Sequence, residues 1–274
     1  MSDFQTITYS VAYHVAQLTL NRPERLNALN KAALLEINQA MDMAEADDQV
    51  RVIVVSGTGR AFSSGFDLKA QMEQKPEGAK VWRDILDLDF DTTMRFWNSP
   101  KPTIAAVHGA CLAGAFELAM ACDITIAGED AVFGEPELKF GAGIVTLLLP
   151  WMTSPKQAKR IILSADDRIP AREALAMGLV SRVVAPGTHL QEAMRTARGI
   201  ALMDPNLVME TKKALNRTYD IQGMPVALRA ALDIDHTIES HGSPDKRAFM
   251  DVARESGMRE AIAWRDARVA KAQQ

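Results

Sequence analysis

Apolar Ala16, Leu18 and Leu20 alternate with polar Gln17 and Thr19, a period of two that predicts an N-terminal strand. Asn21-Arg22-Pro23 stops it, because proline has no N–H to give to a ladder. From Asn30 as cap, Leu34, Ile37, Met41 and Ala44 recur at helical spacing as far as Asp47 and Asp48, which predicts an amphipathic helix. Residues 50–55 are β-branched and nearly all apolar, as a central strand covered on both faces requires. They run into a glycine-bearing loop, 56–65. The cadence then repeats. A polar, helix-prone stretch covers about 79–97, Pro100 and Pro102 break it, 103–107 reads as a buried strand and 112–122 as a buried helix. Short strands follow at 124–127 and 131–133. Strand, loop and helix in alternation predict an α/β core with mostly parallel pairing.

Beyond Pro150 the pattern turns helical. Ser154-Pro155, Asp204-Pro205 and Ser243-Pro244 each place a capping side chain before a proline at the first helical position. One β-rich interruption, 179–184 after Gly178, is expected to return to the sheet. Met224, Ala227, Leu228 and Ala231 form an apolar stripe that must cover either the protein's own core or another subunit. With 274 residues and roughly 150 per domain, the expected division is a core over 1–198 and a helical region over 199–274.

Composition narrows the function classes. Hydrophobic residues at 47% and charged residues at 24% exclude disordered and disulfide-scaffold chains and leave a folded soluble protein. A net charge of −4 is opposite to the basic footprint of phosphate-backbone binding, so nucleic acid is not expected as a main partner. Cys111 and Cys122 are too few for a disulfide framework, and their spacing matches no metal site. They read as reduced, buried cysteines of a cytoplasmic protein. The N-terminal ten residues show no export signal. Residues 104–121 are apolar enough to imitate a membrane span, but His108 and Glu117 within them would be costly in a bilayer. The stretch reads as protein core, with no membrane role.

A carboxylate inside that core calls for an explanation. The run Gly109-Ala110-Cys111-Leu112-Ala113-Gly114-Ala115-Phe116-Glu117 passes from a buried strand into a helix. Such a junction leaves backbone N–H groups unpaired where the helix dipole favours an anion. Glu117 lies one turn after Gly114, so donor and carboxylate share a face. It could simply complement the dipole; among Ala115, Phe116, Leu118 and Met120 it reads better as a general acid or base tuned by desolvation. Glu137, locked behind Pro136, is the second candidate, either facing Glu117 across a fold of the chain or solvated in its loop. Glu135 reads as solvated. The loop Arg60-Ala61-Phe62-Ser63-Ser64-Gly65-Phe66-Asp67-Leu68 follows a buried strand, where α/β proteins place ligand loops, yet fits neither a phosphate loop nor a nucleophile elbow. A Ser64–His108 nucleophile pair lacks an orienting acid, and His108 reads as a structural histidine. The dispersed histidines give no metal motif.

Asn21-Arg22-Pro23, the 61–68 loop, the 109–117 segment with Cys122-Asp123-Ile124, and Phe133-Gly134-Glu135-Pro136-Glu137 occur in an order and spacing that resemble the enoyl-CoA hydratase/isomerase (crotonase) family. The likeness extends through Pro170-Ala171-Arg172-Glu173-Ala174 and Gly178-Leu179-Val180. It implies a crotonase-like spiral of ββα units and a C-terminal helical region that assembles trimers, often hexamers. The implied substrate is an acyl-CoA thioester, with no cofactor beyond the coenzyme A of the substrate and no metal. By the resemblance, the backbone amides of Ser64 and Gly114 match the oxyanion hole. Glu117 and Glu137 match the two glutamates that add water across a 2,3-double bond. Arg25, Leu26, Gly65, Phe66, Asp67 and Leu68 are implied walls and contacts of the CoA site.

One stretch departs from the family pattern. Where hydratases carry a glycine-rich I-P-G-x-G-G-T-Q-R-L loop and a water-positioning amide, this chain reads Gly141-Ala142-Gly143-Ile144-Val145-Thr146-Leu147-Leu148-Leu149-Pro150. Hydration of a 2-enoyl-CoA to a 3-hydroxyacyl-CoA is the expected reaction. Double-bond isomerisation, thioester hydrolysis and C–C cleavage are the alternatives that the altered loop leaves open. A non-catalytic role, binding RNA through Lys212, Lys213 and Arg217, is a further alternative, set against the reading of those residues as a solvated helix face.

Overall fold

The computed structural model describes residues 4–272. The chain enters as a hairpin in which β1 (Ile7–Ala12) pairs antiparallel with β2 (Val15–Leu20). The expected strand is β2. Its partner escapes the sequence pattern because only Ile7 of its six residues is buried. A 3-10 turn over Pro23–Arg25 leads to α1 (Lys31–Ala46), capped by Asn30, whose side chain accepts from the Ala33 N–H at 2.9 Å. Then come β3 (Val52–Gly57), β4 (Ala61–Ser63), α2 (Leu68–Gln74) and α3 (Ala79–Asn98). The next passage is β5 (Thr103–Val107), β6 (Ala110–Leu112) and α4 (Gly114–Ala121), and after it β7 (Ile124–Gly128) and β8 (Val132–Gly134).

Each such passage places one strand in each of two sheets, which is the spiral. The larger sheet runs β1-β2-β3-β5-β7 and the smaller begins β4-β6-β8; apart from the β1–β2 hairpin these pairs are parallel. Strands β4 and β6 lie inside the expected 56–65 loop and at the start of the expected 112–122 helix. At three residues each they are too short to show a period. The remaining elements are α5 (Leu149–Met152), α6 (Pro155–Leu163), β9 (Ile169–Pro170), α7 (Ala171–Ala176) and β10 (Arg182–Val184). β10 joins β7 in parallel, the expected return to the sheet, while β9 closes the smaller sheet antiparallel to β8.

Both faces of the larger sheet are covered, which explains the continuous apolar run at 50–55. Val52 and Val54 point to α8 (His189–Ala201), against its Ala193, Ala197 and Ala201. Ile53 and Val55 point the other way, into the main core with Ile37, Phe96 and Phe116. Burying each such side chain contributes about 1.5–3 kcal/mol.

Four helices complete the chain: α9 (Pro205–Ile221), α10 (Met224–His241), α11 (Pro244–Ser256) and α12 (Met258–Ala272). Ser154, Asp204 and Ser243 cap α6, α9 and α11 through the side-chain bonds expected of them. On α10 the buried stripe is Met224, Leu228 and Leu232, packed into the protein's own core, whereas Ala227 is exposed. The same face continues as buried Asp235 and Glu239. Lys212, expected on a solvated face, is buried and ion-paired with Asp123 at 2.8 Å, donating also to the carbonyls of Phe96 and Lys101. Lys213 and Arg217 are exposed and pair with Glu210 and Asp220, so the three residues form no common basic surface. Among the described residues no helix is long and apolar enough to cross a membrane. Both cysteines are buried and free.

Candidate active site

The loop after β4 is pinned to the turn after β2 through Asn27. Its side-chain amide donates to the carbonyls of Thr58 and Ala61, both at 2.8 Å, and its oxygen accepts from the Arg22 N–H. Ser63 Oγ donates to the Asn27 carbonyl at 2.8 Å and accepts from the Gly65 N–H. Leu29 and Phe66 then form a parallel bridge in which the Gly65 carbonyl accepts from Leu29 and the Asp67 N–H donates to Leu29. In such a bridge the intervening residue turns both its backbone polar groups away. The Phe66 N–H therefore makes no hydrogen bond within the described residues.

This geometry corrects one assignment implied by the family likeness. The Ser64 N–H is not free: it donates to the Leu26 carbonyl at 3.0 Å. The loop's available donor is Phe66, two residues on. Its counterpart is the Gly114 N–H, also without a partner at the head of α4. Ala113 before it sits at φ 57°, ψ −138°, a conformation that costs a non-glycine residue on the order of 1–3 kcal/mol and fixes the orientation of the next peptide. The two loops touch because both carry glycine. A Cβ on Gly65, at φ +90°, would stand 2.7 Å from the Leu112 carbonyl, and one on Gly114 would stand 2.3 Å from the Phe66 ring.

Glu117 lies one turn into α4, 1% exposed, and Glu137 opens a 3-10 turn, 7% exposed. Both line one cavity of about 710 Å³ together with Ser64, Phe66, Leu112 and Ala113. Burial, reinforced by the charge of Glu137, pushes Glu117 well above the ordinary carboxyl range, against the opposing influence of Thr146's amide and hydroxyl. Burial raises Glu137 to about 7, held back by its own amide and by Glu135. Glu117 and Glu137, with Glu135 beside them, titrate together, each held toward the protonated form by burial.

Glu135, expected in solvent, is 1% exposed. The 133–137 segment lies hard against the 166–167 turn: the Glu135 N–H donates to the Asp166 carbonyl at 2.9 Å, and a Cβ on Gly134 would stand 2.3 Å from Asp167 Cα. Shut away from water and beside two other glutamates, Glu135 is pushed well up. No Ser64–His108 pair forms. His108 Nε2 contacts the Gly59 carbonyl and the ring stacks on His189, 4.5 Å between centroids. Among the described residues no group of three or more His, Cys, Asp or Glu is disposed to hold a metal ion.

Arg25, Leu26, Ser64, Phe66, Asp67 and Leu68 line the cavity, whereas Gly65 and Gly114 are not among its lining residues. Arg25, Arg60 and Arg259 are exposed cations on the same lining. Asp67 is also structural: its Oδ1 caps α2 and its Oδ2 takes Arg22 at 2.9 Å. Helices α10, α11 and α12 supply wall as well, including Glu239, Phe249 and Met258. In the altered 141–150 loop the Gly143 N–H donates to Glu239 at 3.3 Å.

Comparison with known proteins decides the family. Residues 11–247 match the family model for enoyl-CoA hydratase/isomerase. The chain belongs to this family. An enoyl-CoA hydratase/isomerase from Xanthobacter autotrophicus Py2 is 62% identical, with a TM-score of 0.96 over 97% of this chain and 98% of that one. An enoyl-CoA hydratase from Mycobacterium smegmatis is 30% identical, with a TM-score of 0.88 over 96% and 94%. A crotonyl-CoA hydratase from Syntrophomonas wolfei is 35% identical over 85% of this chain and 87% of its own. The crotonase fold is thereby established.

Within this family frame, several wall residues and one donor escaped the sequence. Phe66 was named as a wall but not as a donor, because which amide is free depends on pairing with residues 26–29. Asp235 and Glu239 did leave a signal: they fall in phase with Met224 and Leu228 on the buried stripe of α10. Asp89 falls likewise in phase with Trp82 and Leu86 on α3.

Proposed function

We propose that this protein hydrates the 2,3-double bond of a 2-enoyl-CoA to give a 3-hydroxyacyl-CoA. The observation that carries the reading is one cavity lined by two buried carboxyl groups with raised pKa and by Phe66, whose amide is partnerless and whose ring packs on Gly114, the bearer of the second partnerless amide. Attack of water at C3 sends negative charge to the thioester oxygen. Two fixed N–H groups suit that oxygen, each worth about 3 kcal/mol in the transition state. One carboxylate removes a proton from water while a carboxylic acid delivers one to C2, and Glu117 and Glu137, both shifted toward neutral pH or above, supply the two groups. The exposed arginines on the same lining suit the phosphates of coenzyme A. Three copies meeting through the exposed apolar residues of α9 and α10, such as Leu207, Leu215 and Val226, complete the proposal.

The test mixes the purified protein with crotonyl-CoA, a longer and a branched 2-enoyl-CoA. Loss of conjugated-thioester absorbance with a product heavier by one water is the expected result. A product of unchanged mass assigns the site to isomerisation, and release of free coenzyme A assigns it to hydrolysis; either overturns hydration.

A further inference from the structure

The same cavity is walled by α3 and α10, from which Asp89, Asp235 and Glu239 line it beside Trp82 and Leu86, with Lys246 from α11. All four ionisable side chains are buried, Asp235 to 2% and Asp89 to 7% exposure. Lys246 is the only cation among them. Its Nζ is bonded to Glu239 and lies 4.4 Å over the Trp82 ring, and Glu239 also receives the Gly143 N–H. Glu239 is therefore satisfied. Asp235 is not: both of its carboxyl oxygens are sealed from solvent without a hydrogen bond. Nor does any hydrogen bond or ion pair within the described residues reach the Asp89 carboxyl, which projects from the middle of α3. Gly143 makes room for this arrangement, since a Cβ there would stand 1.9 Å from Asp235 Oδ1.

A buried carboxyl without a partner is unfavourable by several kcal/mol, and a carboxyl retained on a cavity wall points to a partner that arrives with the ligand. That partner is bound in the same cavity as the reacting pair, because Asp89 and Asp235 line it together with Glu117 and Glu137, and the charge of Asp235 reaches both glutamates.

Resting on the hydratase reading of the same cavity, we propose that the acyl group accepted here carries a hydrogen-bond donor beyond its double bond, a hydroxyl or an ammonium, received by Asp235 together with Asp89. A purely aliphatic chain would leave both carboxyls unpartnered in an apolar contact. A site built around a substrate donor discriminates strongly against the analogue that lacks it.

The test compares kcat/KM for 2-enoyl-CoA esters of four, five and six carbons with their terminally hydroxylated counterparts, and for 2-hexenoyl-CoA with 6-amino-2-hexenoyl-CoA. The expected result is at least a tenfold preference for one hydroxylated or aminated ester over its methyl-ended match. Asp235→Leu should erase or invert that ratio. Asp235→Asn, nearly isosteric, should keep a hydroxyl preference and lose an ammonium preference, so a leucine variant that fails to fold leaves the test intact. Equal or lower efficiency for every donor-bearing ester in the unmodified protein overturns the proposal. Calorimetric binding of saturated hexanoyl-CoA against 6-hydroxyhexanoyl-CoA and 6-aminohexanoyl-CoA needs no turnover. Tenfold tighter binding of either donor-bearing ester, with no enoyl ester hydrated, keeps this inference and overturns the hydratase reading; hydration of crotonyl-CoA with no tail preference does the reverse.

Discussion

Replacing Gly114 by alanine probes how the two free amides are held. The added Cβ would stand 2.3 Å from Phe66 Cε2 and 2.6 Å from Cζ, about 1 Å inside the roughly 3.5 Å contact distance of carbon atoms. Helix α4 cannot retreat, because all eight of its residues are buried. The strain falls on Phe66, whose own N–H is the second donor and whose backbone is bonded into the Leu29 bridge through its neighbours. A misplacement of about 1 Å at a catalytic group costs on the order of 10²-fold, within the range for losing an oxyanion donor. Gly114→Ala should accordingly lower kcat for crotonyl-CoA about 10²-fold in steady-state absorbance assays, while calorimetric affinity for a saturated acyl-CoA changes little. Phe66→Ala in the same chain removes the ring and keeps the amide, and should restore at least tenfold. A Gly114→Ala protein with undiminished kcat, or a double variant no faster than the single one, would refute the argument that the ring-to-helix contact positions the donors.

Glu117→Gln and Glu137→Gln should each lower kcat by about 10²–10⁴, the scale of general acid–base catalysis, with CoA-ester binding retained; a full-rate variant removes that residue from the chemistry. Stability should also depend on pH through these groups. Glu117, Glu137, Asp89 and Asp235 have folded pKa values raised by burial, Glu137 and Asp235 to about 7. They bind protons more tightly folded than unfolded, so their contribution is full below about pH 4, and that of Glu137 and Asp235 is lost as pH rises through about 7. The thermal midpoint should be higher at pH 5.5 than at pH 8, with a smaller difference in Asp235→Asn; a midpoint that rises with pH contradicts this. Lys212→Met removes the buried ammonium that ties Asp123 to the carbonyls of Phe96 and Lys101 and should destabilise by about 1–3 kcal/mol in denaturant titrations. A change under 1 kcal/mol would return Lys212 to the surface.

Much of this fold was legible because its signals are local. The 50–55 and 103–107 strands announce themselves by unbroken apolar residues, and the prolines after Ser154, Asp204 and Ser243 mark helix starts by a mechanism confined to four residues. Glu117 was legible because a carboxylate in an apolar helix has few explanations. What escaped depends on distant chain. Glu135 is dry because the 166–167 turn covers it, and Lys212 is dry because α9 lies on the end of α3 and the 99–102 turn. The substitution of Phe66 for Ser64 as donor follows from a bridge between residues 29 and 66, which no periodicity within the loop encodes.

The docking of α9 has a consequence for modularity. Lys212 takes the carbonyls of Phe96 and Lys101 and the carboxylate of Asp123, while Asn216 takes the Trp97 carbonyl and Tyr219 meets the Trp97 ring edge-on at 5.2 Å. These fasten the last quarter of the chain to the ends of α3 and α4, the helices that also carry Asp89 and Glu117. Cutting the chain at 198 would take the Lys212 and Asn216 donors away from Asp123 and three carbonyls and strip one wall from the cavity. Chimaeras that exchange this C-terminal segment between relatives must therefore carry the 96–101 turn and Asp123 with it: the unit of inheritance is the joint, not the helical tail.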